Sequence, residues 1–242
     1  MKKTIHQFLI ALLVTSVFSS CGADIFNGIR GNGNIVTEER KPSAPFSGIK
    51  VSAGIDLYIT QGNKNKIIVE ADENLQKLIK TSISDGILKI YTEENIWKSS
   101  ARKVYVTLQE LSLLKASSGS DVYSENTINT NEISISASSG ADINISIAAE
   151  NVSTSASSGS DIKISGNAIN HATKASSGSS IDAYKLESKN VIARVSSGAD
   201  INVTATEKIE ANASSGGDID FDGSPSKINK KTSSGGSVSK RN

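Results

Sequence analysis

One phrase, written with small variations, returns seven times in the second half of this 242-residue chain. It reads Ala116-Ser117-Ser118-Gly119-Ser120-Asp121-Val122 at its first occurrence and Ala137-Ser138-Ser139-Gly140-Ala141-Asp142-Ile143 at its second. Further copies run from Ala156 to Ile162, Ala175 to Ile181, Val195 to Ile201, Ala213 to Ile219 and Thr232 to Val238. Their glycines, at 119, 140, 159, 178, 198, 216 and 235, are 21, 19, 19, 20, 18 and 19 residues apart. A nearly constant period of this length makes each copy one structural unit. No such unit can bury an apolar face alone, so the units must stack.

Around each copy, apolar and polar residues alternate. Ile133-Ser134-Ile135-Ser136-Ala137 and Ala141-Asp142-Ile143-Asn144-Ile145 both have the period of two that marks a strand with one buried face. Ser-Ser-Gly supplies the bend between two such strands, because glycine tolerates backbone angles that other residues avoid. A second, looser loop, such as Ser124 to Glu132 or Asn167 to His171, closes the unit. The expected fold is therefore all-β, a single-stranded parallel β-helix or solenoid with ~19-residue coils. At about 4.8 Å per coil, seven coils make a rod roughly 30 Å long.

The alternation also predicts directions. Ile143 and Ile145 point inward, Asp142 and Asn144 outward, and Ala141 inward beside the bend. The residue after the glycine is always small (Ser120, Ala141, Ser160, Ser179, Ala199, Gly217, Gly236), which predicts a narrow corner. Asp121, Asp142, Asp161, Asp200 and Asp218 then form an outward, ligand-facing column, with Ser180 and Ser237 in the acid's place in the fourth and seventh copies.

Several sharper readings of these columns are weakened by their chemistry. Calcium-binding β-rolls also use Gly-and-Asp turns, but they repeat about every nine residues, and one carboxylate per coil supplies too few ligands. Ice-binding planes favour threonine ladders on flat strands, whereas these serines sit at a bend. A polysaccharide-active β-helix needs acids clustered with lysine or arginine, and Arg194 is the only arginine between residues 103 and 240. Thirty of the 127 residues from 116 to 242 are serine, but the strict repetition argues against a disordered low-complexity segment.

Composition narrows the chemistry further. The lone Cys21 excludes a disulfide framework and any multi-cysteine metal site. Of the two histidines, His6 falls in a leader and His171 in a closing loop, so no nucleophile–base–orienter set can be assembled. No catalytic residue, metal or cofactor is expected, and the chain does not read as an enzyme. The formal charge of +1 gives no net field toward nucleic acid or anionic lipid, and there is no basic stripe with interleaved aromatics.

Residues 1–20 read as an export signal: Lys2 and Lys3, a short apolar run from Phe8 through Val14, then Ser19 and Ser20 before Cys21. The run falls short of the roughly 20 residues a membrane span needs. The pattern resembles a bacterial lipoprotein signal, in which Cys21 would be lipid-modified, although Phe18 stands where leucine is commonest. The membrane is then a partner through that anchor, and the address is the outer membrane, facing periplasm or surface. Cleavage leaves 26 minus 2 basic residues against 25 acids, a net charge of −1. Residues 21–33, rich in Gly and Asn, read as a flexible tether.

Residues 34–115 differ from the repeats in holding more charge and Trp97, which reads as a core or cap residue. Strands are expected at Ile35 to Glu39, Ile49 to Ser52, Ile55 to Thr60, Ile67 to Ala71, Ile87 to Tyr91 and Val104 to Leu108. Asp72 is expected to cap a helical turn through Leu75, Leu78 and Ile79, and Asp85-Gly86 to turn the chain into the next strand. Val51-Ser52-Ala53-Gly54-Ile55-Asp56-Leu57 looks like a degenerate eighth copy of the phrase. Residues 34–242 thus form one solenoid, with longer excursions over 34–115 and the seven repeats over 116–242.

The phrases Gly33-Asn34-Ile35-Val36-Thr37-Glu38-Glu39-Arg40, Phe46-Ser47-Gly48-Ile49-Lys50-Val51 and Gly54-Ile55-Asp56-Leu57-Tyr58-Ile59-Thr60-Gln61-Gly62 carry a family resemblance. Together with Val69-Glu70-Ala71-Asp72-Glu73-Asn74-Leu75 and the Ser-Ser-Gly-x-Asp copies, they resemble the head-GIN domain of autotransporter-type adhesins. The resemblance spans about residues 33–236. It implies a β-helix-like domain, right-handed by analogy, on exported and often lipid-anchored proteins of Bacteroidetes-type bacteria. It brings no agreed catalytic or binding residues. The expectation is a non-enzymatic adhesion or interaction module presenting a polar face to glycan or protein. The alternatives are a structural, self-associating envelope component (a homo-oligomer) and, last, a polysaccharide-active enzyme. Lys230, Lys231, Lys240 and Arg241 put charge on the last coil, which discourages edge-to-edge growth.

Overall fold

Each Ser-Ser-Gly phrase folds as a left-handed corner. The second serine and the glycine both adopt positive φ, 55° and 67° at Ser118–Gly119 and 54° and 69° at Ser139–Gly140. Every later copy does the same, and Ala53–Gly54 does so at 67° and 64°, making it the eighth corner of the stack. These are the φ signs of a type I′ turn. In that turn the N–H of Ala141, Gly217 and Gly236 donates back to the carbonyl of Ser138, Ser214 and Ser233 at 3.3, 3.0 and 3.0 Å. A serine in this region is strained, and the stack holds it there. Each corner glycine before Gly235 donates its N–H to the second-serine carbonyl of the next coil. The ladder runs from Gly54 to Ser118 (2.9 Å) down to Gly216 to Ser234 (3.1 Å).

The structure, a computed structural model, describes residues 28–241. The expected export signal, Cys21 and the first part of the tether lie outside the described residues. Within them the fold is the expected all-β solenoid of ~19-residue coils. The core is a file of buried Ile, Val, Leu and Ala down its axis, including Ile49, Leu114, Ile135, Ile143, Ile162, Ile181, Ile201 and Ile219. Ala141, Ile143 and Ile145 are buried while Asp142 and Asn144 are exposed, as the alternation predicts. The residue after each glycine is pressed into the corner. A Cβ on Gly217 would meet both Val195 methyls at 3.0 Å, and one on Gly236 would stand 2.5 Å from the Ala213 carbonyl carbon.

One expectation is corrected within the coils. There is no loose second loop in the middle of the stack. Strands Asp142–Ser157, Asp161–Ser176, Ser180–Val195 and Asp200–Ala213 run as ladders of 14 to 16 residues through the second corner. The chain can stay paired there because neighbouring coils bend together. Asn151, Asn170 and Asn190 occupy equivalent positions in that corner. The Asn170 amide donates to Asn151 Oδ1 at 2.9 Å, and the Asn190 amide to Asn170 Oδ1 at 3.0 Å. His171 accordingly lies in a strand, with its side chain in the core rather than in a loop.

The N-terminal part joins the stack out of chain order. Gly48–Val51 and Asp56–Gln61 form a coil that pairs in parallel with Leu113–Ala116 and Asp121–Ser124 on one side. On its other side they pair in parallel with Ile87–Thr92 and Arg102–Leu108. The chain therefore lays down one coil, builds outward, and returns beneath it to begin the repeats. Beyond the outer coil the pairing turns antiparallel. Ile79–Ser84 returns along Ile87–Thr92 through the Asp85–Gly86 turn, Lys66–Asp72 lies along Arg102–Leu108, and Ile35–Arg40 along Lys66–Asp72. These antiparallel strands cap that end of the rod.

Two local expectations fail in the cap. The helical turn after Asp72 is a three-residue 3-10 turn, Glu73–Leu75, and Ile79 opens a strand. Asp72 makes no cap with its side chain. Its buried carboxylate instead accepts the N–H groups of Gly33 (2.6 Å), Ser100 (2.7 Å) and Ala101 (3.1 Å), tying three distant backbone amides together. Residues 28–33, read by composition as tether, are likewise held to the body. Ile29–Arg30 pairs with Ile96–Lys98, and a Cβ on Gly31 would stand 2.5 Å from the Asp72 carboxyl. Trp97 belongs to this cap, not to the core: it is 48% exposed, with the Arg30 guanidinium 5.9 Å from its ring.

Candidate functional site: charged columns on either side of the turns

Parallel, in-register pairing turns each outward position of the repeat into a column. After the turn, Asp121, Asp142, Asp161, Ser180, Asp200, Asp218 and Ser237 stand in one file, each the register partner of the next. The structure thus brings all five expected aspartates together, and Asp56, paired with Lys103 in the coil beyond, extends the file. Crowding shows in their acidities. Burial and then the Asp56 and Asp142 charges raise the Asp121 pKa; burial and then Asp218 and Asp220 raise that of Asp200. Asp56 is raised by burial against the opposing pull of Arg102 and Lys103. Like charges one coil apart resist ionising together. The carboxylates remain a single file, and no group of three or more His, Cys, Asp and Glu among the described residues is arranged to hold a metal ion.

The next outward file on this face begins with a tyrosine stack. Tyr58 lies between Tyr105 (5.0 Å between ring centroids) and Tyr123 (5.4 Å). Tyr58 is stacked on both faces and Tyr105 and Tyr123 on one each, so the three rings stiffen this part of the face.

Before the turn the chemistry reverses. Two residues ahead of the first serine of each phrase, the register aligns Lys89, Lys50, Lys115, Ser136, Ser155, Lys174, Arg194, Asn212 and Lys231. Six of these nine positions are cationic and none is acidic. None of the six cations belongs to an ion pair among the described residues. The acid that feels them is Glu210, whose pKa is lowered first by Lys208 and then also by Arg194 and Lys231. Beside the cations runs a second file, the first serines of the phrases, including Ser138, Ser157 and Ser176 in direct register.

Two surface grooves lie on this face. One, of about 640 Å³, is lined by Lys50, Lys89, Lys115, Ser117, Ser136 and Ser138 among others. The other, of about 400 Å³, is lined by Lys174, Arg194, Ser196, Asn212, Ser214 and Lys231 among others. The sequence reading missed this column. Its signal was present, because Lys115-Ala116-Ser117, Lys174-Ala175-Ser176, Arg194-Val195-Ser196 and Lys231-Thr232-Ser233 extend the phrase by one residue toward the N-terminus. A near-zero charge sum concealed it: the two signs cancel in total and separate in space.

His171, Thr154 and Thr173 form a polar cluster inside the coil stack. His171 Nε2 lies 2.9 Å from Thr154 Oγ1, and Thr154 donates to Thr173 Oγ1 at 2.9 Å. All three side chains are buried, so this cluster cannot meet a substrate and serves the core.

Comparison with known proteins agrees with this architecture. The family described as "putative auto-transporter adhesin, head GIN domain" matches residues 45–225. A crystal structure of a putative adhesin from Bacteroides fragilis superposes with a TM-score of 0.83 at 22% identity, covering 88% of this chain and 100% of that one. A putative lipid binding protein from Parabacteroides distasonis gives 0.72 at 23% identity over 88% and 99% of the two chains. A putative adhesin from Parabacteroides merdae gives 0.67 at 18%, with the same coverage. At these identities the likeness is one of fold. No curated protein matches the chain. With the family's profile covering most of its length and the solenoid laid out coil by coil, this chain belongs to the head GIN domain family.

Proposed function

We propose that this protein is a lipid-anchored, non-enzymatic module of the cell envelope that binds glycan or protein through a polar face of its solenoid. The observation that carries this reading is the pair of continuous side-chain columns, acidic after the turn and basic before it. Regular columns repeated at each coil suit recognition of an extended partner, because every coil presents the same kind of contact. The nearest thing to reactive chemistry, His171, is buried and bonded to a threonine. Membership in an adhesin family supports both the binding role and an envelope address. Cys21, preceded by the export-signal pattern, is the proposed lipid attachment, on the outer membrane and facing periplasm or surface.

The test immobilises the full chain, purified in mild detergent, and screens it against a glycan array and envelope protein fractions. Saturable binding to at least one class is expected, and silence across both would sink the adhesion reading. The anchor is tested in the same cells. The Cys21→Ala variant should leave the membrane fraction, and unchanged retention would refute lipidation.

A further inference from the structure

We infer that the face before the turns, with its cation and serine columns, is a binding track for a linear anionic polysaccharide. This rests on the adhesion reading and assigns it a surface and a ligand class.

Spacing sets the first requirement on the ligand. Nine stacked layers place the column from Lys89 to Lys231 over roughly 38 Å, one layer per ~4.8 Å. Along it, cations cluster at the two ends, Lys89, Lys50 and Lys115 in the first groove and Lys174, Arg194 and Lys231 in the second. Ser136 and Ser155 bridge the interval between them. A ligand that satisfies both clusters must be long, straight and negative at both ends of that interval. A polyuronate or a sulfated glycan has this form.

The second column supplies the rest of the recognition. A serine hydroxyl both donates and accepts a hydrogen bond, which matches sugar hydroxyls. The serines Ser52, Ser117, Ser138, Ser157, Ser176, Ser196, Ser214 and Ser233 stand beside the cations, one per coil. A ligand lying along the track meets a charge on one side and a hydroxyl on the other.

Other polyanions fit less well. Tyr91 is the only ring in the two columns, so nucleobases find no row of stacking surfaces. Tyr91 is likewise the only large apolar surface they offer to a bilayer. The acidic column lies past the turn and repels a ligand that strays from the track.

The decisive experiment measures binding of the full chain, in detergent at low salt, to polygalacturonate and dextran sulfate, with neutral dextran as reference. Duplex DNA, and phosphatidylglycerol vesicles compared with phosphatidylcholine vesicles, report the competing partners. At least one of the two anionic glycans should bind, neutral dextran should not, and affinity should fall as salt rises. Lys50→Glu with Lys115→Glu, and separately Lys174→Glu with Arg194→Glu, should each weaken binding about tenfold or more, a difference of about 1.4 kcal/mol. The gentler Lys→Gln pairs should give intermediate losses with unchanged circular dichroism, and Asp142→Asn with Asp161→Asn should bind at least as well as the parent. Absence of binding to both anionic glycans, binding indifferent to the lysine and arginine variants, or tighter binding to DNA or phosphatidylglycerol would each overturn the assignment. A neutral glycan or protein that binds the parent and the variants equally would overturn it while leaving the adhesion reading standing.

Discussion

His171 is neutral at physiological pH because it is sealed in the core. Burial lowers its pKa from 6.5 to about 4. Thr154 gives its hydroxyl proton to Thr173, so the ring donates from Nε2 and keeps an unpartnered lone pair on the buried Nδ1. In the unfolded chain the same ring takes a proton near 6.5, so the unfolded state binds more protons as pH falls. Stability is therefore full above 6.5 and declines as pH drops from 6.5 to about 4, by about 3 kcal/mol in all. Val152 and Val191 are its register partners above and below, so His171→Val keeps the column apolar. Denaturant titrations at pH 7 and pH 4 should show a smaller pH loss in that variant than in the parent. An equal loss in both would show that His171 does not carry it. Asp72 acts lower on the scale. Burial works to raise its pKa, but hydrogen bonds from Ala101, Gly33, Ser100 and its own N–H outweigh this and hold it below the usual carboxylate range. Its contribution is full above the ordinary carboxylate pKa and declines as pH falls from there through the lowered value. Neither environment was readable beforehand. The sequence shows Asp72 ahead of Leu75, Leu78 and Ile79 at helical spacing and His171 beside Asn170 between two strand patterns, and both pointed to local roles, a cap and a loop. Both partner sets are non-local: Asp72 draws on residues 33 and 100–101, His171 on a threonine one coil away.

At the scale of the strand and the turn, the repeat was legible in most of its features. Period-two alternation placed Ile143 inward and Asp142 outward, and the small residue after each glycine marked the corner. The second serine's positive φ was not legible, because serine is an ordinary residue elsewhere and accepts this conformation here only under the ladder of glycine N–H bonds. The cap was the least legible element. Whether Lys66–Asp72 pairs parallel or antiparallel, and whether coil 87–108 lies outside coil 48–61, depends on pairings among distant segments and leaves no periodic mark. The opposite end carries its own prediction. Lys227–Thr232 is exposed along its whole length, with Ile228 50% exposed, and Lys230 sits over the Phe221 ring at 4.8 Å. Among the described residues its one ladder is with Lys208–Ala213, on its inner side. Lysines along an edge oppose strand addition by another copy. Replacing Lys227, Lys230 and Lys231 with threonine should therefore produce concentration-dependent assembly in light scattering. Particles that stay the size of the parent's at every concentration would show that the lysines do not guard the edge.

On the scale of the whole molecule, the solenoid converts a one-dimensional repeat into faces of opposite charge. Each column is the same position read once per coil, so a bias in the phrase becomes a surface property over its full length. Composition could not show this, since 26 basic and 25 acidic residues sum to nearly nothing. Register separates them, with Lys115, Lys174 and Arg194 before the turn and Asp121, Asp161 and Asp200 after it. A field organised in this way guides an extended charged partner onto one face even when the net charge is near zero. The most direct measurement of this account is lysine acetylation of the full chain, read residue by residue by mass spectrometry, with and without a saturating amount of whichever of polygalacturonate and dextran sulfate binds. The account predicts protection of Lys50, Lys89, Lys115, Lys174 and Lys231, and unchanged labelling of Lys64, Lys163 and Lys185 away from the track. Protection centred on Lys163, on the acidic side of the turns, or spread evenly over all lysines, would contradict it.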